Sequence, residues 1–358
     1  MRHYREIYRT DQLPVLQNRM FSSEQEALAC PKGDIHLVQD MRTGLIFNSA
    51  FDPSLIDYGP DYQNEQACSS IFRGHLEEVA AIIYRHLHGK TLIEVGCGKG
   101  YFLEHLSGLG FDVRGFDPTY EGENPRISKR FFTPDLNLCA DAIVLRHVLE
   151  HIQDPVDFLS MICKANGGRG KIYIEVPCFD WISEHRAWFD VFYEHVNYFR
   201  LLDFQNMFGE ILEMGHVFGG QYLYVVAELA SLRSPEWREE DCPALPHDFL
   251  GGIGSCAEKL KVLGKNHSAI WGGASKGVIF SLFMQRAGAR IDLVIDINPA
   301  KQGKFIAGSG LRVCSPEEGT RMLESGATVF VMNSNYLEEI KALTRNNFNY
   351  QEIDCGNI

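Results

Sequence analysis

Apolar residues recur at three- and four-residue steps through "SSIFRGHLEEVAAIIYRHL" (69–87), where Ile71, Leu76, Val79, Ile82 and Ile83 share one face. This spacing predicts an amphipathic helix. Beyond it, the short apolar runs "TLIEVG", "DVRGFD", "ADAIVLRH" and "GKIYIEVP" alternate with helical stretches around 100–109, 148–164 and 201–213. Apolar strands separated by helices predict an α/β fold with a parallel sheet covered on both faces. The late run "GQYLYVVAEL" is expected to pair antiparallel at the sheet edge.

The pattern differs on either side of this block. Residues 1 to about 68 hold short apolar pieces broken by turn residues, and "DIHLVQDMRTGLIFN" predicts a hairpin around "MRTG" within a small β-rich module. After residue 230, "SLRSPEWREEDCPALP" (231–246) is polar and proline-bearing, as a linker would be. From 247 to 358 a second alternation follows in "HSAIWGGASKGVIFSLFMQRAG", "IDLVIDINPAK" and "ATVFVMNSNYLEEIKAL". The expected organisation is a β-rich module (1–68), a Rossmann-like α/β domain (69–230) and a second Rossmann-like α/β domain (247–358).

Composition narrows the partners. A chain of 358 residues, 45% apolar and 23% charged, has room for more than one core. Its formal net charge of −13 argues against nucleic acid or an anionic membrane and favours a small-molecule substrate. The ten cysteines are scattered singly with no CxxC pair, so they read as reduced thiols. The opening residues lack the apolar core of a signal peptide and no run approaches 18 apolar residues, which points to the cytoplasm.

The chemistry concentrates in a few segments. In "EVGCGKG" (94–100) glycines bring the backbone close to a ligand, and the following helix start offers free N–H groups to an anion, phosphate or carboxylate alike. Asp117, about 20 residues on at the end of the next strand, is placed to accept hydrogen bonds from a ribose. A nicotinamide enzyme would want G-x-G-x-x-G, and Tyr101 stands where its last glycine belongs. ExGCGxG, then Asp117, then "ADAIVLRHVLEHIQDP" resembles the S-adenosylmethionine site of class I methyltransferases over about 70–225. The resemblance implies that Glu94, Gly96, Cys97, Gly98, Asp117, Arg146 and His147 line the cofactor pocket.

"RAWFDVFYEHVNYFRLLDF" (187–205) is a candidate acid–base segment, since methyl transfer needs the acceptor positioned and deprotonated, and a histidine is the natural base. It resembles the "YHEHLSYF" motif of C-methyltransferases that act on nucleotide-activated deoxysugars. The match implies that His195 is the base, that Glu194 orients it or binds a substrate hydroxyl, and that Tyr193 or Asn197 donates to the developing oxyanion. Phe192 and Tyr193 depart from the motif's tyrosine and first histidine. Glu150 and His151 in "VLEHIQDP" form a second pair, whose histidine is more often structural in class I enzymes.

That family also carries an N-terminal zinc module with two CxxC pairs. Here Cys30 stands alone and "DMRTG" replaces the second pair, so no metal is expected. Tyr58 and Tyr62 are expected to reach over the acceptor pocket. "WGGASKGVIFSL", "VIDINPAKQGKFIAGSGLRV" and "NSNYLEEI" resemble three ordered segments of the family's C-terminal domain. Gly272, Gly273 and Lys276 would cradle an anion there, and Asp296 and Asn298 would bind hydroxyls. The implied function is methylation of a carbon on a nucleotide-linked keto-sugar, with O- or N-methylation of another small metabolite as the alternative.

Overall fold

The computed structural model describes residues 4–58, 62–63 and 67–354. The N-terminal segment is built on β1 (Tyr4–Pro14), followed by β2 (Met20–Phe21), helix α1 (Glu24–Leu28), β3 (Lys32–Asp40) and β4 (Ile46–Asn48). β3 pairs antiparallel with β1 on one side and with β4 on the other, the turn 41–45 closing the second pair.

The central block starts with α2 (Ser70–Leu87), capped by the Ser69 hydroxyl, which accepts from the N–H groups of Ile71 and Phe72. Then come β5 (Thr91–Val95), α3 (Tyr101–Gly108), β6 (Asp112–Phe116), β7 (Ile127–Ser128), β8 (Ala142–Arg146), α4 (Pro155–Ala165) and β9 (Lys171–Pro177). These are followed by α5 (Phe179–Glu184), β10 (Asn197–Tyr198), α6 (Leu201–Met207), β11 (Ile211–Val217) and β12 (Tyr222–Glu228). The seven-stranded sheet has the order β11-β12-β9-β8-β5-β6-β7. Neighbours from β7 to β9 are parallel, and β12 runs antiparallel to both β9 and β11.

Two expectations change here. The helical stretch 201–213 stops at Met207, and Ile211–Val217 is a strand, because Gly209 breaks the helical run and β12 offers an open hydrogen-bonding edge. "GQYLYVVAEL" therefore lies one strand in from the edge, which β11 occupies. Similarly, 148–164 is not one helix: Leu149–His151 make a single tight turn, Ile152 is extended, and α4 begins at Pro155.

The last part holds α7 (Gly251–Val262), β13 (Ser268–Trp271), α8 (Ser275–Arg286), β14 (Leu293–Ile295), β15 (Phe305–Ile306), β16 (Val313–Cys314), α9 (Pro316–Met322), β17 (Thr328–Val331), α10 (Leu337–Leu343) and β18 (Asn349–Glu352). Five of its strands form an all-parallel sheet, β16-β14-β13-β17-β18. In both large sheets the first strand sits beside the point where the order reverses, between β5 and β8 and between β13 and β17. Ligands bind at such switch points, outside the carboxyl ends of the strands.

The N-terminal strands are paired into both later parts: β4 with β10, and β2 with β15. One apolar cluster runs through all three, including Ile35, Ile174, Phe189 and Phe280, and Trp188 stacks on Phe280 with ring centroids 5.7 Å apart. Segment 231–246 is strapped down rather than free, because Arg200 donates to the carboxylate of Asp241 and the Trp237 N–H donates to the Arg42 carbonyl.

Candidate functional site

The first glycine turn leaves β5 with Gly96 at φ +74°, and a Cβ there would stand 2.3 Å from Val148 Cγ2. Gly98, at φ +54°, has nothing within 4 Å of an added Cβ, so this stretch of backbone is open to a ligand. Its N–H donates to Asp117 Oδ2 (2.8 Å), while Asp117 Oδ1 accepts from the Thr119 N–H and hydroxyl. The structure thus sets Asp117 behind the turn, off the cavity wall that Glu94, Gly96, Cys97, Gly98 and Lys99 share.

Glu94 is 3% exposed and its Oε2 has no hydrogen-bond partner. Burial pushes its carboxyl up to about 8, against the pull of Arg146 and with the push of Asp117. An unpartnered buried carboxyl facing a cavity fits a cationic group such as the ammonium of a methionine moiety.

Arg146 reaches the same wall, yet its guanidinium is engaged inward: Nε lies 2.9 Å from Glu175 Oε2, and the group rests 4.4 Å over the Phe102 ring. Glu175 is fully buried and also holds His75 (2.8 Å), His147 (3.1 Å) and the Tyr173 hydroxyl (3.1 Å). Sequence reasoning missed it, and the signal was a single acid inside the apolar run "KIYIEVP". His147 adopts φ +52° and joins two carboxylates, Glu175 at Nε2 and Glu150 at Nδ1 (3.4 Å). Burial opposes its charge, but these two partners outweigh it and raise the imidazole to about 9.

His195 lies on the wall beside His151, ring centroids 5.0 Å apart, and against Phe192 at 4.9 Å. Burial and the neighbouring His151 push its imidazole down to about 3. It is neutral at pH 7, but far below the neutral range expected of a resting general base. Glu194 does not turn toward it: the Tyr62 hydroxyl donates to Glu194 Oε2 (2.7 Å) and the Gln17 N–H to Oε1 (3.3 Å). Glu150 and His151, the weaker pair by sequence, share the wall with His195.

Tyr193 points away from the cavity. Its hydroxyl accepts from the Asp52 N–H (2.8 Å), its ring stacks on Phe51 and the ring lies against Gly33 of β3, so the side chain packs on the N-terminal segment. Asn197 is likewise off the wall, donating to the Leu149 and Ile152 carbonyls and so fixing the turn that carries Glu150 and His151. Tyr62 lines the cavity, whereas Tyr58 stands outside it, 39% exposed and edge-on to Tyr62.

The second glycine turn repeats the device of the first: the Gly273 N–H donates to Asp296 Oδ2 (2.8 Å), as Gly98 does to Asp117. Gly273 is thereby turned off the wall, which Gly272, Ser275, Lys276, Asp296 and Asn298 form. Lys276 is paired with Asp190 (3.1 Å) and Gln221 (2.9 Å), and Lys301, unremarked in the sequence, is paired with Asp296 (3.2 Å); both reach the wall. Both turns, Glu150, His151 and His195 line one cavity of about 400 Å³.

Comparison with known proteins agrees with the central block. Residues 68–211 match the family described as "Methyltransferase domain", so the chain carries a class I, S-adenosylmethionine-dependent methyltransferase domain. The human mitochondrial ubiquinone biosynthesis O-methyltransferase is 30% identical over 106 residues, covering 25% of this chain and 29% of that protein. The chain therefore matches less than a third of that relative's length. Similar solved structures include the N-methyltransferase NodS from Bradyrhizobium japonicum (14% identity, 47% of this chain and 98% of that chain, TM-score 0.32). Another is 1,6-didemethyltoxoflavin-N1-methyltransferase from Burkholderia thailandensis (14% identity, 51% and 95%, TM-score 0.35). No helix among the described residues is long and apolar enough to cross a membrane.

Proposed function

We propose that the protein methylates a small molecule with S-adenosylmethionine as donor, and that the acceptor is a nucleotide-linked keto-sugar methylated on carbon. The observation that carries this reading is the single cavity onto which both glycine turns and the histidine cluster open. Gly96, Cys97 and Gly98 would hold the cofactor, with unpartnered Glu94 facing its ammonium; Asp117 would meet the ribose by giving up its bond to Gly98. The cofactor supplies an electrophilic methyl group that needs little activation.

What the chain must supply is acceptor placement and proton removal. Ser275, Lys276, Asn298 and Lys301 offer polar contacts for the nucleotide part, where Lys301 adds charge close to Asp296. The acceptor's reacting carbon then lies at the cluster of His195, His151 and Glu150, and the proton leaves to His195. A second reading, methylation of an acceptor hydroxyl, is favoured by the human relative, which is an O-methyltransferase.

The test incubates the protein with methyl-labelled S-adenosylmethionine and a set of nucleotide keto-sugars and amino-sugars, and locates the label by NMR. Label on carbon supports the leading reading, label on oxygen the second, and no transfer to any member rejects the acceptor class. His195→Gln should abolish turnover while leaving S-adenosylhomocysteine affinity within about twofold, and retained turnover removes His195 from the chemistry.

A further inference from the structure

Glu150, His151 and His195 each present one ligand atom, and these atoms lie within 4.8 Å of one another. All three residues line the shared cavity. A carboxylate with two imidazoles is a donor set for a transition cation, and three features of the surroundings prepare it for one.

Glu150 is 1% exposed and its Oε2 has no hydrogen-bond partner. A buried carboxylate oxygen left bare costs stability unless a cation or donor meets it. Its other oxygen is steadied by His147 Nδ1 at 3.4 Å, and His147 in turn by Glu175 at 3.1 Å.

His151 Nδ1 lies 2.9 Å from the Glu194 carbonyl oxygen. A carbonyl oxygen only accepts, so Nδ1 carries a proton, and in the neutral form of the ring the lone pair then lies on Nε2. Imidazoles that bind metals are oriented in this way, with the second ring nitrogen tied to a carbonyl or carboxylate. The His195 ring makes no hydrogen bond among the described residues and rests against His151 and Phe192.

We propose that Glu150, His151 and His195 bind one divalent first-row transition cation whose remaining coordination positions take an oxygen of the acceptor. Two nitrogen donors and a single carboxylate suit Fe2+, Co2+ or Zn2+ better than Mg2+ or Ca2+, which prefer all-oxygen sites. The inference rests on the reading of this cavity as the acceptor chamber. It changes that reading in one respect: with a cation bound, the His195 lone pair is a ligand rather than a base, the metal-bound oxygen makes the adjacent C–H more acidic, and its proton leaves to solvent water.

The experiment titrates Co2+ into the full-length protein after treatment with EDTA and gel filtration, following visible d–d absorption. One ion per chain is expected, displaced by Zn2+. Glu150→Gln, His151→Ala and His195→Ala should each weaken it about 10-fold or more, and His86→Ala, paired with Glu213 off the cavity wall, should not. Glu150→Gln keeps the side chain's shape, so it reports on the ligand even if a histidine variant fails to fold.

Absence of a saturable site overturns the proposal, as does binding unchanged by the three variants. A thiolate-to-cobalt charge-transfer band in the near ultraviolet, which would place the ion on a cysteine, overturns it too. Calorimetry of S-adenosylhomocysteine on the same metal-free sample tests the methyltransferase reading separately. Cofactor binding without a metal site leaves His195 as the base and removes only the cation.

Discussion

Glu94 gives the sharpest single test of the cofactor site. Its buried carboxyl sits at about 8 instead of 4.5, so at pH 7 roughly nine in ten molecules carry the proton. If a cationic ammonium settles beside Oε2, the charged form becomes the favoured one and the proton leaves. Binding S-adenosylhomocysteine at pH 7 should therefore release close to one proton per chain. Calorimetry in phosphate and in Tris reads this directly, because the observed enthalpy must then change with the ionisation enthalpy of the buffer. The release should shrink toward zero above about pH 9, where the free protein has already lost the proton. The same shift sets a stability slope: the folded state holds a proton that the unfolded chain gives up near 4.5, so stability falls as pH rises from about 4.5 to about 8 and is level beyond. The total is on the order of a few kcal/mol. Glu94→Gln should flatten that slope and weaken cofactor binding by about 10-fold or more. An enthalpy independent of buffer, or a Gln variant that binds as well as the parent, would refute the placement of Glu94 at the ammonium.

Three further outcomes follow from the packing. Glu175→Gln should cost about 3–5 kcal/mol in urea unfolding, since Arg146 is left buried without its charge partner. Gly96→Ala should destabilise strongly through both its φ of +74° and the 2.3 Å clash with Val148, whereas Gly98→Ala, in open space, should cost only about 1 kcal/mol in a thermal melt while lowering cofactor affinity. Tyr193→Phe should leave turnover unchanged and lose about 1 kcal/mol of stability, because its hydroxyl serves the Asp52 backbone; a collapse of kcat would return it to the active site.

The sequence made the strand–turn–helix units legible because local signals and tertiary structure agreed there: β5, Gly96 to Gly100 and α3 stand where periodicity and glycine spacing put them. It failed where the deciding partner is distant. Nothing local in "ILEMGHV" announces a strand, since its reason for being one is the free edge of β12. The same holds in the site. His195 was visible as a motif residue, but the orientation of its neighbours was not: Tyr193 leaves for the N-terminal segment and Glu194 for Tyr62 and Gln17, while Glu150 and His151 arrive beside His195 from about 45 positions earlier in the chain. Glu175 shows the opposite lesson, for a lone acid in an apolar strand was a readable sign of a buried charge network.

The pairing of β2 with β15 and of β4 with β10 sets a timetable. Phe47 waits for Asn197 and Phe21 waits for Phe305, 284 positions further on. At ribosomal speeds of about 5–20 residues per second, the first strands emerge on the order of tens of seconds before their last partner exists. During that interval the apolar faces of β1 and β3 lack part of their cover, and any fragment ending before residue 305 keeps them so. The chain is consequently a poor candidate for dissection at its proline-bearing strap: the two halves on either side are held by a thread that begins before the first and ends inside the second.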